Sequence, residues 1–320
     1  MRVEGEELKS ITFGAVEIIR QDKVLTFYKC TKKQQDGWKS IDNSLFERSR
    51  IATGVRFDFH TDSKTFAFKA VSGRKFDVLI NGVITYSLRN LDFDDSGTSK
   101  TMKISDGGDT RVTLVFPSHD IKTSIENIRL DDGAYFRAHE HSVKILFMGD
   151  SITQGWNSEF DSMSYAWQTT LYFNADSVIN GVGGGMFHEC TFDTSDFDPD
   201  VVVVAYGTND FKYYKSLDEL NCHVQAFLDL VKKAYGDKKV LCVLPIWRSD
   251  ADSDAKMGTF GQCCDTIKEQ IISHGFYLVD GDKIVPHFGK FYADHVHPND
   301  LGFCMYAKAL QEHIEKILKD

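Results

Sequence analysis

The sequence predicts an all-β sandwich followed by a doubly wound α/β domain, and three observations carry that prediction. Apolar and polar residues alternate over about residues 10–130. Beyond about residue 141 the apolar runs become nearly continuous. Stripes at spacings of three and four fall between those runs, so strand and helix alternate.

In the first half, VRFDFH (55–60), TFAFKAV (65–71), FDVLING (76–82) and RVTLVFP (111–117) read as half-buried strands, separated by the turn-forming SGRK, NG and DGGD. No long helix is expected there, which makes residues 1–138 an all-β sandwich domain. The stretch NIRLDDGAYFRAHEHS is the expected junction, and a second domain is expected over 139–320. Its strands are VKILFMG (143–149), DSVIN (176–180), VVVVAYG (201–207), VLCVLPIW (240–247) and YLVDG (277–281). Leu217, Leu220, Val224, Phe227, Leu228 and Val231 mark one helix; Leu301, Met305, Leu310, Ile314 and Ile317 mark another.

Composition narrows the function classes. A chain of 320 residues can bury a large core, and no apolar run is long enough to span a bilayer, so no membrane partner is expected. A net charge of −10 gives no long-range attraction to phosphate backbones, so nucleic acid is not an expected partner either. MRVEGEELKSITFG lacks the apolar centre of a secretory signal, which points to a cytoplasmic protein or to a secreted one without its leader. The seven cysteines lack CxxC spacing and read as free thiols. Nothing in the sequence indicates an oligomeric state.

Ligands of open parallel sheets bind beyond the carboxyl ends of the strands, and four loops there carry reactive residues. They deliver Gly149, Asp150 and Ser151; Gly181 to Gly185; Gly207, Thr208, Asn209 and Asp210; and Asp294 with His297. Ser151, at a strand-to-helix turn, suits a nucleophile, the competing use being a helix cap. A hydroxyl needs a base, and His297 can serve, with Asp294 three residues earlier to fix its tautomer. Asn209 and backbone N–H groups suit an oxyanion hole. His295 and His297 have the spacing of a metal pair but no evident third ligand, and GVGGGM departs from the dinucleotide fingerprint at Met186. No metal and no cofactor are therefore expected.

Taken in order, GDSITQG, GVGGG, GTND and DHVHP resemble the SGNH hydrolase family, the GDSL esterases and lipases, over about residues 143–318. The resemblance implies a flavodoxin-like α/β/α domain. It implies Ser151 as nucleophile, His297 as base, Asp294 as orienting acid, and an oxyanion hole of Ser151, Gly184 and Asn209, with Gly183 able to replace Gly184. A main-chain carbonyl in the place of Asp294 stays open. The preceding sandwich resembles the jelly roll of two-domain carbohydrate esterases of the second family, which implies removal of small acyl groups, above all acetyl, from sugars. The expected partner is then a small-molecule or oligosaccharide ester. Asp150, Trp156, Trp247 and Arg248 are the candidate substrate contacts, Trp247 for stacking and Arg248 for a polar group. The rivals are a lipid-directed lipase, lysophospholipase or thioesterase, and a non-catalytic carbohydrate-binding protein.

Overall fold

A computed structural model describes residues 1–119, 122–253 and 255–320. Two antiparallel sheets occupy the first part of the chain. One runs Glu17–Gln21, Val24–Tyr28, Thr123–Leu130, Thr65–Ser72 and Met102–Lys103, with Arg2–Val3 added against Thr123–Leu130. The other runs Phe136–Ala138, Arg56–Thr61, Thr110–Val115, Phe76–Ile80 and Val83–Leu88, with Thr12–Phe13 against Arg56–Thr61. Alternation puts Phe57, Phe59, Phe66, Phe68, Phe76 and Phe116 into one dry core. Asn81 and Gly82, both at positive φ, turn the Phe76–Ile80 strand back into Val83–Leu88.

This half is not all-β as the sequence led us to expect. It holds helices at Glu6–Ser10, Lys32–Ile41 and Asn43–Ser49. The second evaded the apolar period because its buried positions include only one large apolar residue, Trp38, beside Gln34, Gln35 and Gly37. Its available signal was the cap: Thr31 and Gln34 bond each other's backbone reciprocally. Gly37 is required by a close approach, since a Cβ there would lie 2.0 Å from the Cys190 carbonyl oxygen.

The second sheet system is parallel, in the order Ala175–Gly181, Val143–Gly149, Val201–Ala205, Lys239–Val243 and Tyr277–Val279. This is the flavodoxin-like order, with the first strand between the second and the third and the switch point beside it. Ile145 and Phe147 face a core built with Tyr165–Tyr172 and Asp300–Lys319. Leu146 and Met148 face the opposite core, built with Leu217–Tyr235 and Phe260–Ser273. Burial on both faces explains the unbroken apolar runs. The C-terminal helix is turned relative to the expected stripe: Leu301 and Met305 are exposed, whereas Phe303, Tyr306 and Ala307 join Leu310, Ile314 and Ile317 inside.

The halves share their cores. Trp38 and Leu45 belong to the core beneath Leu146 and Met148, while Leu79 and Val115 belong to the other. Buried Arg56 pins the junction, donating 2.9 Å to the Ala175 carbonyl and lying 3.6 Å from Asp176 and 3.7 Å from Asp58. No helix among the described residues is long and apolar enough to cross a membrane.

Candidate active site

The Val143–Gly149 strand ends at Asp150, whose carboxylate accepts the Ile152 N–H at 2.8 Å and so caps the single helical turn Ser151–Gln154. With Asp150 doing the capping, the Ser151 hydroxyl is free for another partner, and it lies 2.8 Å from His297 Nε2. Residues 146 apart in sequence thus meet at hydrogen-bond distance. On the far side of the ring, Nδ1 lies 2.8 Å from Asp294 Oδ2. Asp294 Oδ1 accepts the N–H groups of Val296 and His297, both at 2.8 Å, so the loop wraps around its own carboxylate. Partial burial would raise the Asp294 pKa, but these backbone bonds and the imidazole outweigh it and lower it to about 2. Asn157, at φ 71°, adds a bond of 2.9 Å to Oδ2; nothing in the sequence marked it except the tolerance of Asn for that backbone region.

Ser151 and His297 line a cavity of about 280 Å³ together with Arg48, Trp156, Gly183, Gly184 and Asn209. The Gly183 N–H donates to buried Gln154 Oε1 at 2.7 Å, whereas among the described residues no acceptor takes the Gly184 N–H. That difference favours Gly184 over Gly183 as an oxyanion donor. Gly184 has φ +82°, a conformation that a side chain would strain. Asn209 Nδ2 donates to the Gly185 carbonyl at 2.9 Å, which orients the amide and leaves its second hydrogen without a protein acceptor among the described residues.

Of the four expected substrate contacts, only Trp156 reaches this cavity. Asp150 is buried beneath it, where burial raises its pKa to about 7. Arg248 turns inward: Nη1 holds the Thr208 carbonyl at 2.7 Å and the rest of the guanidinium pairs with Asp250, so it braces the loop bearing Asn209. Trp247 stacks on His287 at 5.3 Å and packs edge-on to Tyr292 at 5.1 Å, away from the cavity, in the loop that follows the end of the strand at Val243. His295 bonds Ser249 at 2.9 Å. Phe187 and Tyr206 are core residues around Phe227. The residue that sequence reasoning missed is Arg48, carried in by the unanticipated Asn43–Ser49 helix.

Residues 147–303 match the GDSL-like lipase/acylhydrolase family. The chain carries a GDSL-type acylhydrolase domain. A comparison with curated proteins finds no match. Among solved structures, the acylhydrolase and its N-terminal sheets together resemble a salicylyl-acyltransferase, SsfX3, from a tetracycline biosynthetic pathway. That likeness has a TM-score of 0.84 at 17% identity and covers 99% of this chain and 97% of that one. A GDSL-like lipase from Bacteroides ovatus gives 0.78 at 18% identity, covering 100% and 98%. An acetyl xylan esterase, Est2A, from the rumen bacterium Butyrivibrio proteoclasticus gives 0.67 at 16% identity, also covering 100% and 98%. At these identities the likeness is one of fold, and it runs through both halves. The acylhydrolase is a carboxylic ester hydrolase of the SGNH type.

Proposed function

We propose that the protein is a serine esterase that removes small acyl groups, chiefly acetyl, from carbohydrates by way of an acyl-enzyme. The observation that carries this reading is the line Ser151 Oγ, His297, Asp294, with both contacts at 2.8 Å, opening into a cavity beside Gly184 and Asn209. In the first step Ser151 Oγ bonds to the acyl carbon while its proton passes to His297 Nε2; the sugar oxygen then leaves, taking that proton. Water repeats the sequence in the second step, losing its proton to His297, and acetate departs as Ser151 recovers its own. Asp294 holds Nδ1 protonated and offsets the charge on the imidazolium. The Ser151 and Gly184 N–H groups and Asn209 Nδ2 bind the oxyanion. No cofactor enters the scheme.

The carbohydrate assignment draws on the full-length fold likeness to the acetyl xylan esterase, and the small acyl group on the modest cavity walled by Trp156. Acetate release from a panel of acetylated oligosaccharides tests it, with Ser151→Ala expected to lower turnover by about four orders of magnitude or more. Hydrolysis unchanged in that variant would exclude Ser151 as nucleophile. A series of p-nitrophenyl esters should fall in rate from acetate to octanoate; a rise would favour the lipid-directed reading. The likeness to the acyltransferase favours one further assay, in which an added alcohol competes with water for the acyl-enzyme and yields a new ester.

A further inference from the structure

We infer that Arg48 is a specificity-determining residue that binds a carboxylate on the alcohol part of the ester, which makes acetylated uronic acids and similar acidic polyols the preferred substrate class. The inference rests on the esterase reading above.

Arg48 Nη1 donates to the Gly183 carbonyl at 2.9 Å, and a Cβ built on Gly184 would lie 2.9 Å from the same nitrogen. The guanidinium therefore lies over the glycine loop, beside the candidate oxyanion donor. Its helix is anchored at both levels. Leu45 is buried in the core of the parallel half, and Lys29, itself buried, donates 3.2 Å to the Arg48 carbonyl oxygen.

Arg48 differs from the other arginines that brace the molecule. Arg56 lies near Asp58 and Asp176, Arg111 pairs with Asp58, and Arg248 pairs with Asp250. Asp42, the N-cap of the same helix, feels the Arg48 charge, but among the described residues no carboxylate lies within salt-bridge distance of Arg48, and none of the residues lining the cavity is acidic. A guanidinium offers about five N–H donors in a planar fork suited to a carboxylate, and among the described residues protein takes up one of them. Arg48 is half-buried, so water solvates part of its charge, and a ligand carboxylate at the pocket wall would gain charge-assisted hydrogen bonds from its remaining donors. An acetyl group carries no charge, so the anion belongs to the alcohol. Simple bracing of the Gly183 loop is the competing role for Arg48.

Binding is best measured in full-length Ser151→Ala protein, which leaves the probes intact. The probes are fully O-acetylated methyl glucuronoside and its glucuronamide, which share a shape and differ in charge. Calorimetric titration at low salt should show the acid bound about tenfold more tightly than the amide, with the preference shrinking as salt is added. Adding Arg48→Gln should equalise the two, and Arg48→Lys should retain part of the difference. Equal binding of acid and amide to the Ser151→Ala protein would overturn the proposal without any Arg48 variant. A preference that survives Arg48→Gln would overturn it too, as would a uniform loss for both probes, the signature of bracing alone. Failure of the esterase reading would appear elsewhere, as Ser151-independent acetate release by the wild-type protein.

Discussion

The antiparallel and parallel halves solve the burial problem in opposite ways. In the first, two sheets turn their inner faces toward each other, and Phe27, Phe57, Phe68, Phe76 and Phe116 meet edge-to-face at 4.8–5.8 Å in a closed core. In the second, one sheet is covered on both faces by helices, and the loops beyond its strand ends bring Ser151, Gly184, Asn209 and His297 around an open cavity. The candidate site lies at that open rim, where loop residues are free to face a ligand. The closed half contributes to the site differently, by lending one helix pair whose Trp38 and Leu45 sit in its neighbour's core and whose Arg48 reaches the cavity. The antiparallel half thus fixes a charge at the wall of the cavity.

The largest test strikes the open rim. Asp294→Asn keeps the shape of the loop but no longer holds His297 in the tautomer needed to accept the Ser151 proton. It should lower kcat/KM for an acetyl ester by about 10³ to 10⁴, with the denaturation midpoint of the antiparallel core unchanged. Because the Asp294 pKa lies near 2, below its usual value, the carboxylate stays ionised and this contribution persists as pH falls until that range is reached. A loss smaller than about tenfold would show that another group, such as a main-chain carbonyl, orients the ring.

Trp38→Ala tests whether the lent helix belongs to the parallel core. Trp38 is 1% exposed, and a Cβ on Gly185 would lie 3.1 Å from the tip of its ring, so it packs directly behind the glycine loop. Truncation should cost about 3–5 kcal/mol in chemical denaturation, and turnover should fall with it as the loop loses its backing. A cost under about 1 kcal/mol would mean the helix pair is an ornament of the first half and the shared core is not real.

What could be read beforehand follows the same division. Near-continuous apolar runs revealed Val143–Gly149, Val201–Ala205 and Lys239–Val243, the shorter YLVDG and DSVIN marked the other two parallel strands, and the loops that bring Ser151, Asp294 and His297 together were legible from strand ends, turn residues and loop spacing, which are local signals. Gly184 and Gly183 could not be separated by position; the difference lies in Gln154, whose amide takes one N–H across a tertiary contact. Trp247 and Arg248 were misplaced because a strand's end was judged from an apolar run that continues past Val243 into the following loop. Arg48 was out of reach, since its helix is mostly polar and its relation to Gly183 spans 135 residues. Long-range contacts of single residues leave no periodicity to find.

The smallest expected effect lies at the seam between the halves. His141 is packed edge-on against Phe13 at 4.5 Å and His139 at 4.9 Å, with Nε2 3.6 Å from Asp58. Burial first, and then the nearby Arg56, push its pKa down to about 3, against the pull of Asp58; His139 and Arg111 push the same way as Arg56. The folded protein therefore keeps this ring neutral where the unfolded chain, with a pKa near 6.5, takes up a proton. Stability is fully present above about pH 6.5 and drains as pH falls toward 3, with a limiting slope of about 1.4 kcal/mol per pH unit. His141→Asn should flatten that acid limb by about 1 kcal/mol per unit between pH 6 and 5 in urea titrations, while leaving Ser151-dependent turnover at neutral pH in place. Identical slopes in variant and wild type would mean that protons reach the ring, which lines a cavity of about 390 Å³ at the seam, without the protein unfolding, and His141 would no longer set this acid limb.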